Sequence, residues 1–186
     1  MAVRYRIRSA VPDDCAGILA LTRELAVEEG ENPDDVVKNT ETDLRADGFR
    51  EDCFYRCLVV EVVENEDSGN QDPKGSLVGL AMYFLCYSSW KGRLVYLEDL
   101  YLRAAHRGKG LGKGLVTKVA KIGSEYGCKG MQWIVQDNNQ SARDFYKHLN
   151  ATDKTAEEGW RLMGARGQKF VDLVNKSTTE SHIEYS

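Results

Sequence analysis

A chain of 186 residues with 42% hydrophobic and 29% charged side chains is long enough to bury a core. It is expected to form one domain over residues 1–174, with a polar, disordered tail over 175–186. The net charge of −4 argues against a nucleic-acid partner, and no apolar run reaches the roughly 18 residues of a membrane span.

In chain order, Arg4–Ser9 alternates as a strand, directly after the N-terminus and with no apolar signal core, so a cytoplasmic location is expected. Pro12 sits where a first helical turn tolerates it, and Asp13 and Asp14 favour the positive end of the helix that follows. Cys15, Ile18, Leu19, Thr22, Leu25 and Ala26 recur at helical spacing and form its apolar face. A second helix is expected over residues 34–46, closed by Gly48. The β-rich runs 55–63, 77–87 and 94–102 predict three strands. A polar hairpin loop, 64–74, joins the first two, and a turn at Lys91-Gly92 joins the last two.

Leu111, Leu115, Val119, Ile122 and Tyr126 predict a helix over residues 108–126. Residues 131–136 read as a strand, Asn139 as the cap of a helix running to Leu149, and 160–163 and 170–174 as two final strands. A three-strand meander followed by β-α-β crossovers sets the expected fold class. It is α/β of the mixed α+β kind, with a central, mostly antiparallel twisted sheet and helices on both faces.

The five cysteines are odd in number, scattered and set mostly in apolar stretches. Cys53 and Cys57 have C-x3-C spacing but no His or second pair nearby, so reduced thiols and no metal are expected. Acidic residues crowd 28–47, while basic ones gather over 103–121. An acidic mouth for a cationic substrate and a basic cradle for an anionic cofactor produce this split, and so do solvated helix faces.

The segment 107–112, R-G-K-G-L-G, follows a strand and opens a helix. Such turns hold phosphates because unpaired backbone N–H groups and the helix dipole point at the anion. A P-loop is excluded because Gly112-Lys113 is followed by Gly114, and a dinucleotide fingerprint because neither G-x-G has its third glycine in place. The segment does fit [Q/R]-x-x-G-x-[G/A] through Arg107, Gly110 and Gly112. This resembles the pyrophosphate-binding motif of the GNAT N-acetyltransferase superfamily.

Further segments carry a narrower resemblance: D-C-A-G-I-L at 14–19, F-Y-R-C-L-V-V-E at 54–61, Y-L-E-D-L-Y-L at 96–102, N-Q-S-A-R-D-F-Y at 139–146 and E-E-G-W-R-L at 157–162. Together, from about residue 4 to 174, they resemble the spermidine/spermine N1-acetyltransferase subfamily, which includes diamine and thialysine Nε-acetyltransferases. The resemblance implies direct transfer of an acetyl group from acetyl-CoA to a primary amine in a ternary complex, by a homodimer. It implies Tyr146 as general acid toward the CoA sulfur and Glu98 in binding and deprotonating the amine.

Glu98-Asp99 stands out without the resemblance, because charges inside an apolar strand are costly unless satisfied. Neighbours in a strand face opposite ways, so the pair needs a bulge or separate roles. The cofactor contacts implied by resemblance are Leu100, Tyr101 and Leu102, then Arg107, Gly108, Lys109, Gly110, Leu111, Gly112 and Lys113, and finally Asn139, Gln140, Ser141 and Ala142. For the amine they are Glu28, Glu29, Glu98, Asp99, Gln132, Trp133, Ile134, Asp137, Glu158 and Trp160. Trp160 suits a cation–π contact with a cationic chain or, equally, a buried strand position. Lys147 and His148 stand where relatives often carry arginines that meet the CoA 3′-phosphate, a role open to Lys147.

Specificity rests on few residues. Residues 87–92, Y-S-S-W-K-G, with Gln136 and Asp137, resemble the thialysine-preferring branch, with Ser88, Ser89 and Lys91 available to an α-carboxylate and Asp137 to an amine. Ala20 stands where polyamine-acetylating relatives often have an arginine. A thialysine- or lysine-like amino acid is the expected acceptor, with a polyamine as the alternative. A peptide acetyltransferase on the same fold and a non-catalytic acetyl-CoA-binding module are the rival readings.

Overall fold

The computed structural model describes residues 3–64 and 72–176. Two compact units divide the chain, Met1–Asp137 and Asn138–Ser186. Most of the expected hairpin loop 64–74, and all but residues 175 and 176 of the expected tail, lie outside the described residues.

The first unit is built on a sheet of five strands: β1 (Arg4–Ser9), β2 (Arg56–Glu64), β3 (Leu77–Ser88), β4 (Gly92–Leu102) and β5 (Met131–Gln132). They lie side by side in chain order, antiparallel except for the parallel pair β4–β5. The β3–β4 turn falls where Lys91-Gly92 predicts it, and the Ser88 hydroxyl accepts from the Trp90 and Lys91 N–H groups.

Side-chain alternation along the strands gives the sheet two apolar faces. On one, Cys57, Val59, Leu80 and Tyr101 pack with Cys15, Ile18 and Leu21 of α1 (Cys15–Glu28), and with Leu44 from the helix Glu41–Gly48. On the other lies the helix Leu111–Glu125, where a Cβ added at Gly114 would press on Ile7 and one at Gly123 on Val95. The result is the mixed α/β sheet with helices on both faces that the hydrophobic pattern predicts.

A charged pin fixes the entry to α1. Asp14 accepts from both terminal nitrogens of Arg8 (2.6 and 2.9 Å) and from the Val11 N–H (2.7 Å), while Arg8 Nε donates to Glu61 (2.8 Å). Burial pushes the Asp14 carboxyl up, but the Arg8 and Val11 hydrogen bonds and the Arg8 charge hold it below its ordinary value. Asp14→Ala is expected to cost about 3 kcal/mol at neutral pH, measured by reversible denaturation, because it strips a partly buried guanidinium of its main partner. The depressed carboxyl contributes this stability above the ordinary carboxylate range, and the contribution is lost as pH falls through the folded value.

Four sequence expectations are corrected. The helix expected over 34–46 is two helices, α2 (Pro33–Val36) and α3 (Glu41–Gly48), because Asn32 and Thr40 each cap a new start. Thr40 and Asp43 form a reciprocal capping box that breaks the run. The helix expected from residue 108 begins at Leu111, as α4 (Leu111–Glu125), since Gly108 and Gly110 adopt left-handed φ angles of 73° and 79°.

The strand expected over 131–136 is confined to β5, whose pairing stops at Tyr96↔Gln132. A bulge in β4 two residues on re-aims that strand. The final two strands are absent among the described residues. The second unit consists of α5 (Gln140–His148), α6 (Lys154–Glu158) and α7 (Gln168–Lys176), and residues 160–163 form no regular element. Phe170, Val171, Leu173 and Val174 satisfy helical spacing as well as a short apolar strand would, and no described strand in that unit offers a ladder to pair with.

Candidate functional site

The turn between β4 and α4 has the properties of an anion cradle. Positive φ at Gly108 and Gly110 needs glycine, and nothing lies within 4 Å of where a Cβ would stand at either position. The turn's backbone therefore faces open space on that side. The first backbone bond into α4 runs from Gly114 N–H to Gly110 (2.9 Å), which leaves the Leu111, Gly112 and Lys113 N–H groups without helical acceptors. Lys109 and Lys113 are exposed beside them. A pyrophosphate fits this donor set. Above the turn, β5 pairs with β4 only as far as Tyr96, so no described strand continues the ladder along residues 100–102 on that side, where the Leu102 carbonyl is taken by Arg107.

Arg107 is placed differently from a simple phosphate ligand. Its Nε donates to the Leu102 carbonyl (2.8 Å), and its Nη2 donates to both carboxylate oxygens of Glu28 (2.7 and 2.5 Å). One turn earlier on α1, Glu24 takes three bonds from Arg103, the shortest 2.7 Å, and one from the Tyr101 hydroxyl (3.3 Å). Two carboxylates four residues apart thus meet two guanidiniums four residues apart. This ladder ties the end of α1 to the root of the glycine turn. The sequence signal was the spacing of Glu24 and Glu28 against that of Arg103 and Arg107, which helix amphipathicity alone does not single out.

At the centre of β4, of the two alternatives open to Glu98-Asp99, a bulge or separate roles, the bulge is present. Met82 pairs with Asp99 and Tyr83 with Leu97, which leaves Glu98 as the extra, exposed residue. Asp99 therefore joins the α1 face of the sheet beside Met82 and is half-buried there. Burial first, then the charges of Glu98 and Glu29, push its carboxyl up to about 6. Burial, Glu31 and Glu28 raise the Glu29 carboxyl as well. The structure thus brings Glu29, Glu98 and Asp99 into one electrostatic neighbourhood, with Glu28 bound to Arg107 at its edge. Of the other candidates in this unit, Gln132 lies opposite Tyr96, Trp133 is half-buried, and Ile134 and Asp137 are exposed.

In the second unit, the Asn139 side chain caps α5 by accepting from the Ala142 N–H (3.0 Å), with Gln140 and Ser141 exposed in the first turn. Tyr146 sits at the C-terminal half of α5 against Phe145, and burial raises its phenol to about 12. Lys147 is exposed and 3.9 Å from Asp144. Glu158 pairs loosely with Lys154, and Trp160 is 59% exposed, unlike the buried strand aromatic that was one of its two expected states.

The five cysteines are all free thiols, and no group of three metal-binding side chains occurs among the described residues. No described helix is long and apolar enough to cross a membrane.

Comparison with known proteins adds to this geometry. Residues 22–151 match the model of the acetyltransferase (GNAT) family. Over 171 residues the chain is 43% identical to a thialysine N-epsilon-acetyltransferase of Bos taurus, covering 91% of this chain and 97% of that one. It is 36% identical to the human spermidine/spermine N(1)-acetyltransferase-like protein 1 over 91% of this chain and 24% of that protein. Among solved structures, an aminoglycoside N-acetyltransferase in complex with CoA superposes with a TM-score of 0.63 at 16% identity, over 90% of this chain and 97% of that one, a likeness of fold.

Proposed function

The chain belongs to the acetyltransferase (GNAT) family and is an N-acetyltransferase, and from that premise we propose that it moves an acetyl group from acetyl-CoA to a primary amine of a thialysine- or lysine-like amino acid. The observation that carries the acceptor class is the convergence of Glu29, Glu98 and Asp99 at the β4 bulge, a setting that favours an ammonium group. The 43% identity to the thialysine enzyme over 91% of this chain supports the amino-acid acceptor over others. A polyamine acceptor is the second reading, supported by the likeness to the spermidine/spermine relative.

Acetyl-CoA supplies an activated thioester. Its pyrophosphate is assigned to the N–H groups of residues 108–113, with Lys109 and Lys113 adding charge, and its pantetheine arm to the β4 backbone at Leu100–Leu102. Asn139, Gln140, Ser141 and Ala142 complete the cofactor contacts. Arg107 serves by holding the turn against Glu28 and Leu102, a positioning role. Glu98 and Asp99 hold the acceptor ammonium and take up its proton, which leaves a neutral amine to attack. Tyr146 donates a proton to the departing thiolate. Glu158 and Trp160 extend the amine contacts. Residues 1–174 then act as one catalytic domain, in a homodimer.

The test is a panel of thialysine, lysine, putrescine, spermidine, spermine and a lysine peptide, each supplied with acetyl-CoA and followed by release of free thiol. The expected ranking by kcat/KM puts thialysine first. A polyamine ahead of thialysine overturns the acceptor assignment, and peptide turnover alone overturns the small-amine reading. Acetyl-CoA binding with no amine acetylated overturns the proposed reaction.

A further inference from the structure

His106 has no solvent exposure and takes no part in the proposed transfer. It lies in the one-turn 3-10 segment Ala104–His106, immediately before the glycine turn. Its Nδ1 is 2.8 Å from the Tyr5 hydroxyl and its Nε2 is 2.9 Å from Asp72 Oδ2. The other Asp72 oxygen accepts from Arg103 (2.6 Å). The Tyr5 hydroxyl also accepts from Lys109 Nζ (2.9 Å), and Lys109 donates to the Ala105 carbonyl (3.1 Å). The Tyr5 and His106 rings meet edge-on at 5.5 Å, and the Lys109 ammonium sits 5.4 Å from the Tyr5 ring centre.

Donor and acceptor chemistry gives this chain one consistent direction. Lysine only donates, so the Tyr5 oxygen accepts from Lys109 and its own O–H points to His106 Nδ1. The imidazole proton then sits on Nε2 and is donated to the Asp72 carboxylate, whose second oxygen takes Arg103. Three separate segments, β1, the β2–β3 connection and the turn that follows β4, are thereby joined through one buried imidazole. The chain ends on the only lysine inside the R-G-K-G-L-G turn.

We propose that Tyr5, His106 and Asp72 are positioning residues of the cofactor turn: they hold the Lys109 ammonium in place and brace the turn's entry, so that acetyl-CoA meets a preorganised cradle. The proposal rests on the reading of this turn as the acetyl-CoA site. Preorganisation raises affinity by removing the ordering cost of binding.

The test uses the full chain and a double-mutant cycle of Tyr5→Phe and Lys109→Met, read by calorimetric Kd for acetyl-CoA and by steady-state kinetics. Tyr5→Phe keeps the ring contacts and removes only the hydroxyl. Its Kd and KM for acetyl-CoA are expected to rise about fivefold, the effect of one lost hydrogen bond, while kcat at saturation holds. Lys109→Met is expected to give a similar loss, and Tyr5→Phe to add nothing in that background. An unchanged Kd in Tyr5→Phe with a lower Tm, or an undiminished loss on top of Lys109→Met, overturns the proposal as a merely structural contact. Should Tyr5→Phe not fold, Lys109→Met alone decides, since an unchanged Kd there removes the residue through which the chain acts. A wild-type chain that binds no acetyl-CoA overturns the functional reading itself, and this proposal with it.

Discussion

Tyr146→Phe is expected to lower kcat about a hundredfold, the scale of a lost general acid, while the Kd for acetyl-CoA stays at its wild-type value. The Tyr146 phenol, raised by burial to about 12, is protonated across the physiological range, the state a proton donor needs. The phenylalanine variant keeps the ring and its contact with Phe145, 5.2 Å between centroids, so packing in α5 is preserved. Single-turnover acetylation with thiol detection separates the chemical step from product release. A kcat within about twofold of wild type would remove Tyr146 from the reaction, since general acids contribute far more than that.

Asp99→Asn is expected to have opposite effects on activity and stability. The carboxyl stands at about 6, above its ordinary 3.8, because burial and the charges of Glu98 and Glu29 disfavour its ionised form. A raised folded value means that Asp99 burdens the native state as pH rises through about 6 and does not do so below its ordinary range. The asparagine variant is therefore expected to gain about 2 kcal/mol at pH 7.5, with the gain fading between pH 6 and 4. Over the same range the wild-type kcat/KM for the amine is expected to fall as pH drops through about 6, as the carboxyl becomes protonated. Asp99→Asn is expected to lose that acidic limb together with at least about tenfold in activity. Denaturation and rate profiles measured on one preparation check both. A variant that is less stable at pH 7.5 and keeps the acidic limb would show that Asp99 is neither strained nor used. Glu98→Gln, which removes the neighbouring charge that raises Asp99, is the control and is expected to move the limb to lower pH.

The sequence was most legible where the signal is local and periodic. Alternation over Arg4–Ser9 and the three β-rich runs place four strands within a residue or two of where they lie, and Leu115 and Val119 mark the face that α4 buries. The glycine turn is legible because its chemistry is local as well. Two glycines at left-handed φ, followed by a helix start, need no distant partner. The Glu98-Asp99 pair was legible as an anomaly in an apolar strand, and the structure resolves its two alternatives in favour of a bulge.

What only the tertiary structure decided depends on residues far apart in the chain. Glu28, expected as an amine contact, is engaged by Arg107, 79 positions away, and that pairing ties the end of α1 to the glycine turn. Tyr5 and His106 lie 101 positions apart, and neither stands in a motif, so no spacing rule joins them to Lys109. The elevation of Asp99 comes from its burial and from Glu29 on another element, whereas sequence alone ranks it equal to Glu98. Beyond residue 137 the helix capped by Asn139 is where it was expected, whereas the strand expected over 170–174 is part of a helix. An apolar run as short as 170–174 fits either a strand or a helix, and a strand needs a neighbouring edge, which only the folded chain supplies or withholds. Composition and period therefore determined the layers and the turn. Contacts between distant segments determined which carboxylate strains, which one braces and which charge is held beside the turn, because burial and pairing are properties of the assembled fold.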